Sequence, residues 1–259
     1  MTIAQTAASS KIYDLGQPYY VGMPHFPTHP PYAFTLTKLH GEFVLDNGAS
    51  SSSDALALGS HVGTHIDALS HFSCDGKLHG GIAPTQTSAG GIGQHSVDTI
   101  APIIRRAVLF DIARQQNVDV LAPDFEITPN HLTACKIEPP AGGIALIRTG
   151  FGQFWSDSKR YLSQGTSVVR GPGPAIAGAR WLSERKIFAA GADTVAFEKT
   201  PSAMDVHVHL LVENGIHIIE CLNLEQLARD GVKEFTFIAL PLKITGGTGS
   251  PIRPIAIVD

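Results

Sequence analysis

Residues 175–190, AIAGARWLSERKIFAA, decide the fold class. Residues 175–184 follow a Gly/Pro turn and have a helical pattern, which leads directly into a short apolar strand that begins at Ile187. The same order recurs near the C-terminus, where residues 224–229 (LEQLAR) predict a helix and Phe235 begins the next strand. Helices that alternate with strands in this way favour an α/β fold.

Short runs rich in β-branched residues recur along the chain, bounded by Gly, Pro or charged positions. The predicted strands are residues 107–110, 143–147, 187–190, 216–219, 235–239 and 255–258. A third helix is predicted over residues 206–214, capped by Asp205 and closed by Gly215. The Pro-rich first 60 residues predict irregular strands and loops, with an exposed loop at residues 46–54. We therefore predict one α/β domain over residues 1–259, with a partly mixed sheet.

The composition excludes several classes of protein. The chain has 19 Lys+Arg and 23 Asp+Glu, and its longest cationic run is the pair Arg105 and Arg106, so we expect no nucleic-acid or membrane partner. The first eleven residues lack the features of a signal peptide, and the three cysteines form no CxxC motif, which predicts a cytoplasmic protein with reduced thiols. Only 16% of the residues are charged, below the usual ~25%, which indicates surface hidden in an oligomer.

The highest concentration of side chains that can bind metal or carry protons lies in the segment HVGTHIDALSHF, which begins at His61. Its candidate ligands are His61, His65, Asp67 and His71. On one straight helix Asp67 would lie roughly 240° around the axis from His61, and a straight strand would spread the four residues over about 33 Å. The segment must therefore bend, and Gly63 can turn sharply without a Cβ penalty.

A bent segment would bring two imidazoles and one carboxylate onto a single cation and would leave His71 to act beside it. Such a ligand set suits Zn, Mn or Fe, and the lack of thiolates favours an open catalytic site over a closed structural one. A second cluster, MDVHVHLLVENGIHIIE at residues 204–220, places Glu220 at the end of a predicted strand, where α/β sheets present their ligands. His207 could reach the same point, whereas His209 and His217 are interpreted as packing or surface residues.

At these residues the sequence resembles the metal-dependent cyclase family, which includes bacterial kynurenine formamidase, isatin hydrolase and a trans-dienelactone hydrolase. The signature HxGTHxDxxxH is matched by His61, Gly63, Thr64, His65, Asp67 and His71. Further blocks of resemblance are LIRTGFGQFW near residue 150, GPGPAIAGARWLSERKIFAAGADTVAFE after residue 170, HVHLLVENGIHIIE, and the closing PLKITGGTGSPIRPIAI. Leu69 departs from the family, because many formamidase-like members carry proline there, and this argues against kynurenine formamidase itself.

The resemblance implies a swivelling β/β/α fold, a homodimer or homotetramer, and hydrolysis of an amide, cyclic amide or lactone carbonyl of a small molecule by metal-activated water. It also implies the role of each site residue. The metal ligands would be His61, His65 and Asp67, the proton carrier His71, and the ligands of a second ion Asp67, His207 and Glu220, with His209 as the alternative histidine. The ions would be Zn²⁺ or Mn²⁺, one or two per subunit.

Two other functions remain open at this point. A His/His/Asp triad also occurs in non-haem Fe(II) oxygenases, and the same residues could form a metal-binding module without catalysis. The chain has no GxSxG motif, which argues against a serine hydrolase, and the glycine-rich residues 246–251 (GGTGSP) lack the ending of a P-loop and predict a tight turn. Phe26, Phe72 and Trp155 are the aromatic candidates for the substrate pocket.

Overall fold

The computed structural model describes residues 10–163 and 168–258. The strands are β1 (Lys11–Asp14), β2 (Ala33–Lys38), β3 (Ser53–Ala57), β4 (His65–Asp67), β5 (Gln86–Thr87), β6 (Gly91–Ile92), β7 (Ile103–Asp111), β8 (Glu126–Ile127), β9 (Ile144–Arg148), β10 (Gly173–Pro174), β11 (Ala189–Ala192), β12 (His217–Glu220), β13 (Glu234–Ala239), β14 (Gly249–Pro251) and β15 (Ile255–Val258). The α-helices are α1 (Ile112–Gln115), α2 (Pro129–Ala134), α3 (Ser158–Ser163), α4 (Ile176–Glu184), α5 (Asp205–His207) and α6 (Glu225–Arg229).

Nine of these strands form one mixed sheet, in the order β1-β15-β13-β7-β9-β11-β12-β4-β14. Its centre, β7-β9-β11-β12, is parallel, and the strands outside this centre pair antiparallel with their neighbours. Helices that connect the parallel strands account for the alternation seen in the sequence. The predicted α/β fold with a mixed sheet is confirmed.

The central strands are buried because the sheet carries an apolar layer on each face. Along β9, Ala145 and Ile147 belong to one apolar cluster, which includes Leu182 of α4, whereas Ile144 and Leu146 belong to a second cluster with α6. Successive side chains of a strand point to opposite faces, so the two clusters cover both sides of the sheet. This double packing fixes the ends of β11 and β12, beside which the candidate site lies.

The third predicted helix differs from expectation. α5 is followed by a π-helical segment, Val208–Glu213, and Asp205 is not the N-cap but the first helical residue, after Met204 with a φ of +63°. The reason is Glu198, whose carboxylate accepts the backbone N–H of His207 at 2.9 Å and so takes over the role expected of Asp205. Gly215 has a φ of +65°, in agreement with the predicted end of the helix.

Other boundaries also differ from the predictions. The strand predicted from Ile187 begins two residues later, at Ala189. The glycine-rich residues 246–251 contain a turn at Gly246, but Gly249–Pro251 form strand β14 beside β4, so a tight turn alone was wrong for this segment. Residues 46–54 are exposed as predicted, but Ser53 and Asp54 belong to strand β3 and not to the loop.

Two expectations about targeting concern the whole chain. The expectation of no signal peptide rests largely on residues 1–9, which lie outside the described residues. Within the described ranges, none of the helices combines the length and the apolar character needed to cross a bilayer.

Candidate active site

The segment that carries the histidine motif bends where the sequence predicts it. Gly63 has a φ of +66°, and a Cβ at this position would lie 2.4 Å from the ring of Tyr19, so only glycine fits. After the bend, β4 runs from His65 to Asp67 and pairs with β12, which places Glu220 directly opposite His65. The chain then turns again, with the N–H of His71 donating to the carbonyl of Ala68 at 2.9 Å, so His71 follows a turn instead of a helix.

These turns bring the candidate ligands together around Asp67. Its Oδ1 is 2.7 Å from Nδ1 of His61 and 3.5 Å from Nε2 of His65. Glu220 closes the cluster from β12, with Oε2 3.4 Å from His65 Nε2 and Oε1 3.2 Å from His207 Nε2. The ligand atoms of His65, Asp67 and Glu220 all lie within 4.8 Å of one another. The two sequence clusters therefore meet at one buried point.

His71 lies at the edge of this cluster. Its ring stacks on that of His61 with the centroids 3.8 Å apart, and its ligand atoms also come within 4.8 Å of those of His61 and Asp67. Burial lowers the pKa of His71 to about 4, because the imidazolium form loses its hydration, and the charge of Asp67 only partly opposes this. His71 is therefore neutral near pH 7 and can accept a proton.

The buried charges of the cluster support one another. Burial alone would raise the pKa of Asp67, but the neighbouring His71 and His61 outweigh it and hold this pKa well below its usual range. The pKa of Glu220 is likewise lowered, against burial, to about 2 by the neighbouring imidazoles of His207 and His65. The same contacts raise the pKa of His207 to about 10, because Glu198 and Glu220 outweigh the effect of burial. The ionised carboxylates of Asp67 and Glu220 are thus stabilised by neighbouring positive charge.

Two atoms of this cluster have no hydrogen-bond partner although they are buried. Across residues 10–163 and 168–258 the buried side-chain atoms in this condition are His65 Nε2, Asp67 Oδ2, Ser70 Oγ and Asp111 Oδ2. Each unsatisfied buried group costs about 1–3 kcal/mol, and ligation of a cation would remove that cost for the first two atoms. Because imidazole nitrogens and carboxylate oxygens are ligands for Zn²⁺ and Mn²⁺, the residues present fit a divalent metal ion.

Hydrogen bonds behind the cluster fix the orientation of the two inner imidazoles. His65 Nδ1 donates to the carbonyl of Gly63 at 2.8 Å, and His207 Nδ1 lies 2.6 Å from Glu198 Oε2. Because Nδ1 donates behind the cluster in both rings, Nε2 of each ring faces Glu220, and a bound cation would replace the proton that Nε2 otherwise shares with the carboxylates. Carboxylates and carbonyls that hold metal-binding histidines in this way are a general feature of metal sites.

Sequence reasoning missed Glu198 and Thr248, whose Oγ1 lies 2.8 Å from His61 Nε2. Neither has a local spacing that links it to the histidine motif, although Glu198 ends the block GPGPAIAGARWLSERKIFAAGADTVAFE. His209 points away from the cluster, with Nδ1 2.6 Å from Glu213 and Nε2 2.9 Å from Ser183. His207, and not His209, therefore lies in the cluster.

A cavity of about 190 Å³ opens beside the cluster, lined in part by Phe26, His29, His71 and Phe72. Two of the three aromatic residues expected near the substrate thus line it. Trp155 does not, because it is buried in the core with Nε1 donating to the carbonyl of Pro18 at 2.8 Å. His29 was not singled out by number, although it lies in the His-rich N-terminal stretch; its Nδ1 lies 3.2 Å from the carbonyl oxygen of His61.

Known proteins are similar to this chain in sequence and in fold. An isatin hydrolase from Roseibium aggregatum is 27% identical over 209 residues, 78% of this chain and 73% of the relative. A kynurenine formamidase from Bordetella petrii is 23% identical over 248 residues, 95% of this chain and 97% of the relative. The crystal structure of a novel cyclase, 29% identical, superposes with a TM-score of 0.86 over 98% of this chain and 89% of its own. Residues 13–199, which include the whole histidine motif, match the family model named Cyclase, and the chain belongs to that family.

Proposed function

We propose that this protein, a metal-dependent hydrolase, cleaves the C–N bond of an amide or cyclic amide, or opens a lactone, in a small molecule. Its relatives include an isatin hydrolase and a kynurenine formamidase, which act on amide C–N bonds. The observation that carries the proposal is the pair of unpartnered atoms, His65 Nε2 and Asp67 Oδ2, in a cluster of histidines and carboxylates beside an apolar cavity.

We further propose how the cluster holds its metal. His61, His65 and Asp67 would ligate one Zn²⁺ or Mn²⁺ ion, and Asp67, His207 and Glu220 would hold a second where two are bound. When bound, such an ion polarises a carbonyl and lowers the pKa of a water molecule to about 7. The protein itself supplies the fixed imidazole orientations and the negative charge that this ion requires.

His71 is the proton carrier in this proposal. It lines the cavity, it is neutral near pH 7, and its ring is held against that of His61. A neutral imidazole can take the proton of an attacking water and return it to the leaving nitrogen or oxygen. His71 also lies close enough to Asp67 to ligate the same ion. The metal content and the turnover of a His71 variant are therefore measured separately.

His29 favours an amide with a free N–H as the substrate. Since the carbonyl of His61 can only accept a hydrogen bond, Nδ1 of His29 carries the proton, and Nε2 of the neutral ring is an acceptor. Burial lowers the pKa of His29, which keeps the ring neutral. A lactone offers no N–H to this acceptor, whereas an anilide or a lactam does.

The two other functions are not favoured. A non-haem Fe(II) oxygenase needs only the His/His/Asp triad and open coordination positions. It does not require a proton carrier such as His71 or a second set of metal ligands that includes Glu220. A metal-binding module without catalysis would not need an apolar cavity against His71. The relatives with assigned reactions are hydrolases. We also propose that residues 1–259 form one domain and that the protein is cytoplasmic and homo-oligomeric.

The test combines metal analysis with a substrate screen. Purified protein is analysed for Zn and Mn and is then assayed with N-formylkynurenine, isatin and small lactones, with the oxygen concentration monitored. We expect hydrolysis without oxygen consumption, and we expect His71→Ala to retain metal but lose turnover. His209→Gln is the matched control, because His209 lies on the next helical segment but outside the cluster. Oxygen uptake coupled to turnover, or full activity of His71→Ala, would contradict the proposal.

A further inference from the structure

One of the proposed metal-binding histidines, His61, is held the opposite way round from the others. Its Nδ1 lies 2.7 Å from Asp67 Oδ1, and its Nε2 lies 2.8 Å from the hydroxyl of Thr248. His65 and His207 instead turn Nδ1 to acceptors behind the cluster and Nε2 to the carboxylates. Because the Thr248 hydroxyl occupies Nε2 of His61, Nδ1 is the nitrogen that this ring can offer to a cation held by Asp67.

Thr248 is brought to this ring by the pairing of β14 with β4. In this pair Gly249 lies opposite Asp67. The carbonyl of Thr248 accepts the N–H of Ala68 at 2.9 Å, which ties the backbone of Thr248 to the residue that directly follows Asp67. The hydroxyl at one nitrogen of His61 and the carboxylate at the other are therefore carried by two strands that are bonded to each other.

Gly249 packs directly against the same imidazole. A Cβ at Gly249 would lie 2.6 Å from Cε1 of His61 and 3.0 Å from each of its ring nitrogens, distances that place it over the face of the ring. The ring cannot simply move away, because it also stacks on His71 with the centroids 3.8 Å apart. The φ of Gly249 lies outside the left-handed region, so it is the missing side chain that this packing requires.

The glycine-rich segment that carries Thr248 and Gly249 is itself held from its other side. The carbonyls of Gly246 and Gly247 accept the N–H groups of Ile92 at 3.0 Å and Val97 at 2.8 Å. Residues 246–249 thus lie between the loop at residues 92–97 and strand β4, with backbone hydrogen bonds to both. A group fixed in this way can hold a metal ligand in one orientation before the ion binds.

We propose, on the basis of the metal site of the proposed function, that Thr248 and Gly249 are positioning residues for His61. Thr248 accepts from Nε2, Gly249 leaves room for the ring, and together they direct Nδ1 to the metal. The terminal torsion of a histidine side chain is broad and roughly two-fold, so a ring without Thr248 can turn over and offer either nitrogen. Residues that orient metal ligands typically change metal affinity ~10–100-fold when they are removed.

The experiment observes the histidine nitrogens in the zinc-loaded, full-length protein. Nitrogen-15 NMR identifies the metal-bound nitrogen of each ring, and titration against a zinc chelator measures affinity. We expect His61 to bind zinc through Nδ1 and to keep its proton on Nε2, with the reverse pattern in His65. Thr248→Val keeps the shape of the side chain but removes the acceptor, so it should lower zinc affinity ~10–100-fold and allow both orientations of His61. Thr248→Ser restores the hydroxyl and should recover the wild-type pattern.

Two matched controls accompany these variants. Ser183→Ala removes a hydroxyl that lies 2.9 Å from Nε2 of His209, outside the cluster, and should leave zinc affinity unchanged. Gly249→Ala should lower zinc affinity at least tenfold, whereas Gly171→Ala should not, because a Cβ at Gly171 would lie 3.5 Å or more from its neighbours. Circular dichroism confirms that each variant is folded.

The outcomes separate the positioning role from the metal site itself. Binding of zinc through Nε2 of His61 in the wild type would overturn the proposal, as would wild-type affinity in Thr248→Val. Equal losses in Thr248→Val and Thr248→Ser would also overturn it, since the hydroxyl would then have no part in the effect. A wild type that binds neither zinc nor manganese would contradict the proposed function, and the positioning role with it.

Discussion

Two buried aspartates, each near the end of a strand of the large sheet, have very different surroundings. Asp193 follows β11, and its Oδ1 accepts from the N–H and the hydroxyl of Thr149 at 2.9 and 2.7 Å. Its Oδ2 accepts the N–H groups of Gly150 at 2.9 Å and Gly152 at 3.4 Å. Asp67 instead has a histidine at one oxygen and no hydrogen-bond partner at the other. Both oxygens of Asp193 therefore accept hydrogen bonds from the chain, whereas one oxygen of Asp67 accepts none.

The electrostatics follow the same division. The donors around Asp193 are neutral, and burial raises its pKa to about 6 in spite of them. The pKa of Asp67, by contrast, is held well below its usual range by imidazoles, against the effect of burial. A buried carboxylate whose hydrogen bonds are all made holds a loop in place. One that is partly unpaired and surrounded by histidines is suited to a cation.

The largest effect is expected from Asp67→Ala. Loss of the carboxylate that both proposed metal positions share should remove the bound metal and lower kcat/KM by ~10³-fold or more, since a bound metal contributes several kcal/mol to transition-state stabilisation. The measurements are metal content by mass spectrometry and hydrolysis of the best substrate from the screen. Asp193→Asn serves as the control and should keep its metal. Normal metal content and turnover in Asp67→Ala would show that the unpaired oxygen has another role.

Asp193→Ala should act on stability instead. It leaves the N–H groups of Thr149, Gly150 and Gly152 without their acceptor, and we expect the free energy of unfolding to fall by about 3 kcal/mol. Urea denaturation of the metal-loaded protein measures this loss. The folded fraction should still bind metal with the wild-type stoichiometry. A loss of metal without a loss of stability would reverse the roles assigned to the two aspartates.

The Asp67 side of this contrast could be predicted in part from local sequence, whereas the role of Asp193 could not. The bend at Gly63 follows from the spacing of His61, His65 and Asp67, since no straight element can aim the three side chains at one point. The strand that carries Glu220 follows from its apolar pattern. These features depend on neighbours within a few residues, where steric rules and periodicity act directly.

The residues that were missed depend on packing between distant segments. Thr248 reaches His61 because β14 pairs with β4, although the two strands are some 180 positions apart in the chain. The cap of α5 was assigned to Asp205, yet Glu198 takes this role because a loop after β11 folds over the helix. Nothing in the local pattern of either segment encodes such a contact.

The next prediction tests the support behind the cluster. Glu198→Ala removes the carboxylate that orients His207, and metal affinity should fall ~10–100-fold, as for other residues that orient metal ligands. Glu198→Gln should recover part of this loss, because the amide oxygen can still accept from Nδ1 of His207. The matched control is Glu213→Gln, since Glu213 holds His209 at the same 2.6 Å distance outside the cluster. Metal titration of all three variants measures the effect, and equal losses in Glu198→Gln and Glu213→Gln would point to a general change of the helix.

The smallest effect concerns the selection of the substrate by His29. If Nε2 of His29 accepts the N–H of an amide, His29→Ala should lower kcat/KM for that substrate about tenfold, the value of one hydrogen bond. The corresponding lactone, or an N-methylated lactam, has no N–H to donate and should lose little. His25→Ala is the control, because His25 lies in the same loop but bonds the carbonyl of Phe26. Equal losses for the lactam and the lactone would mean that His29 only supports the backbone of His61. The His29→Ala substitution would then act on the structure of the site, as Asp193→Ala does, and not on the chemistry, as Asp67→Ala does.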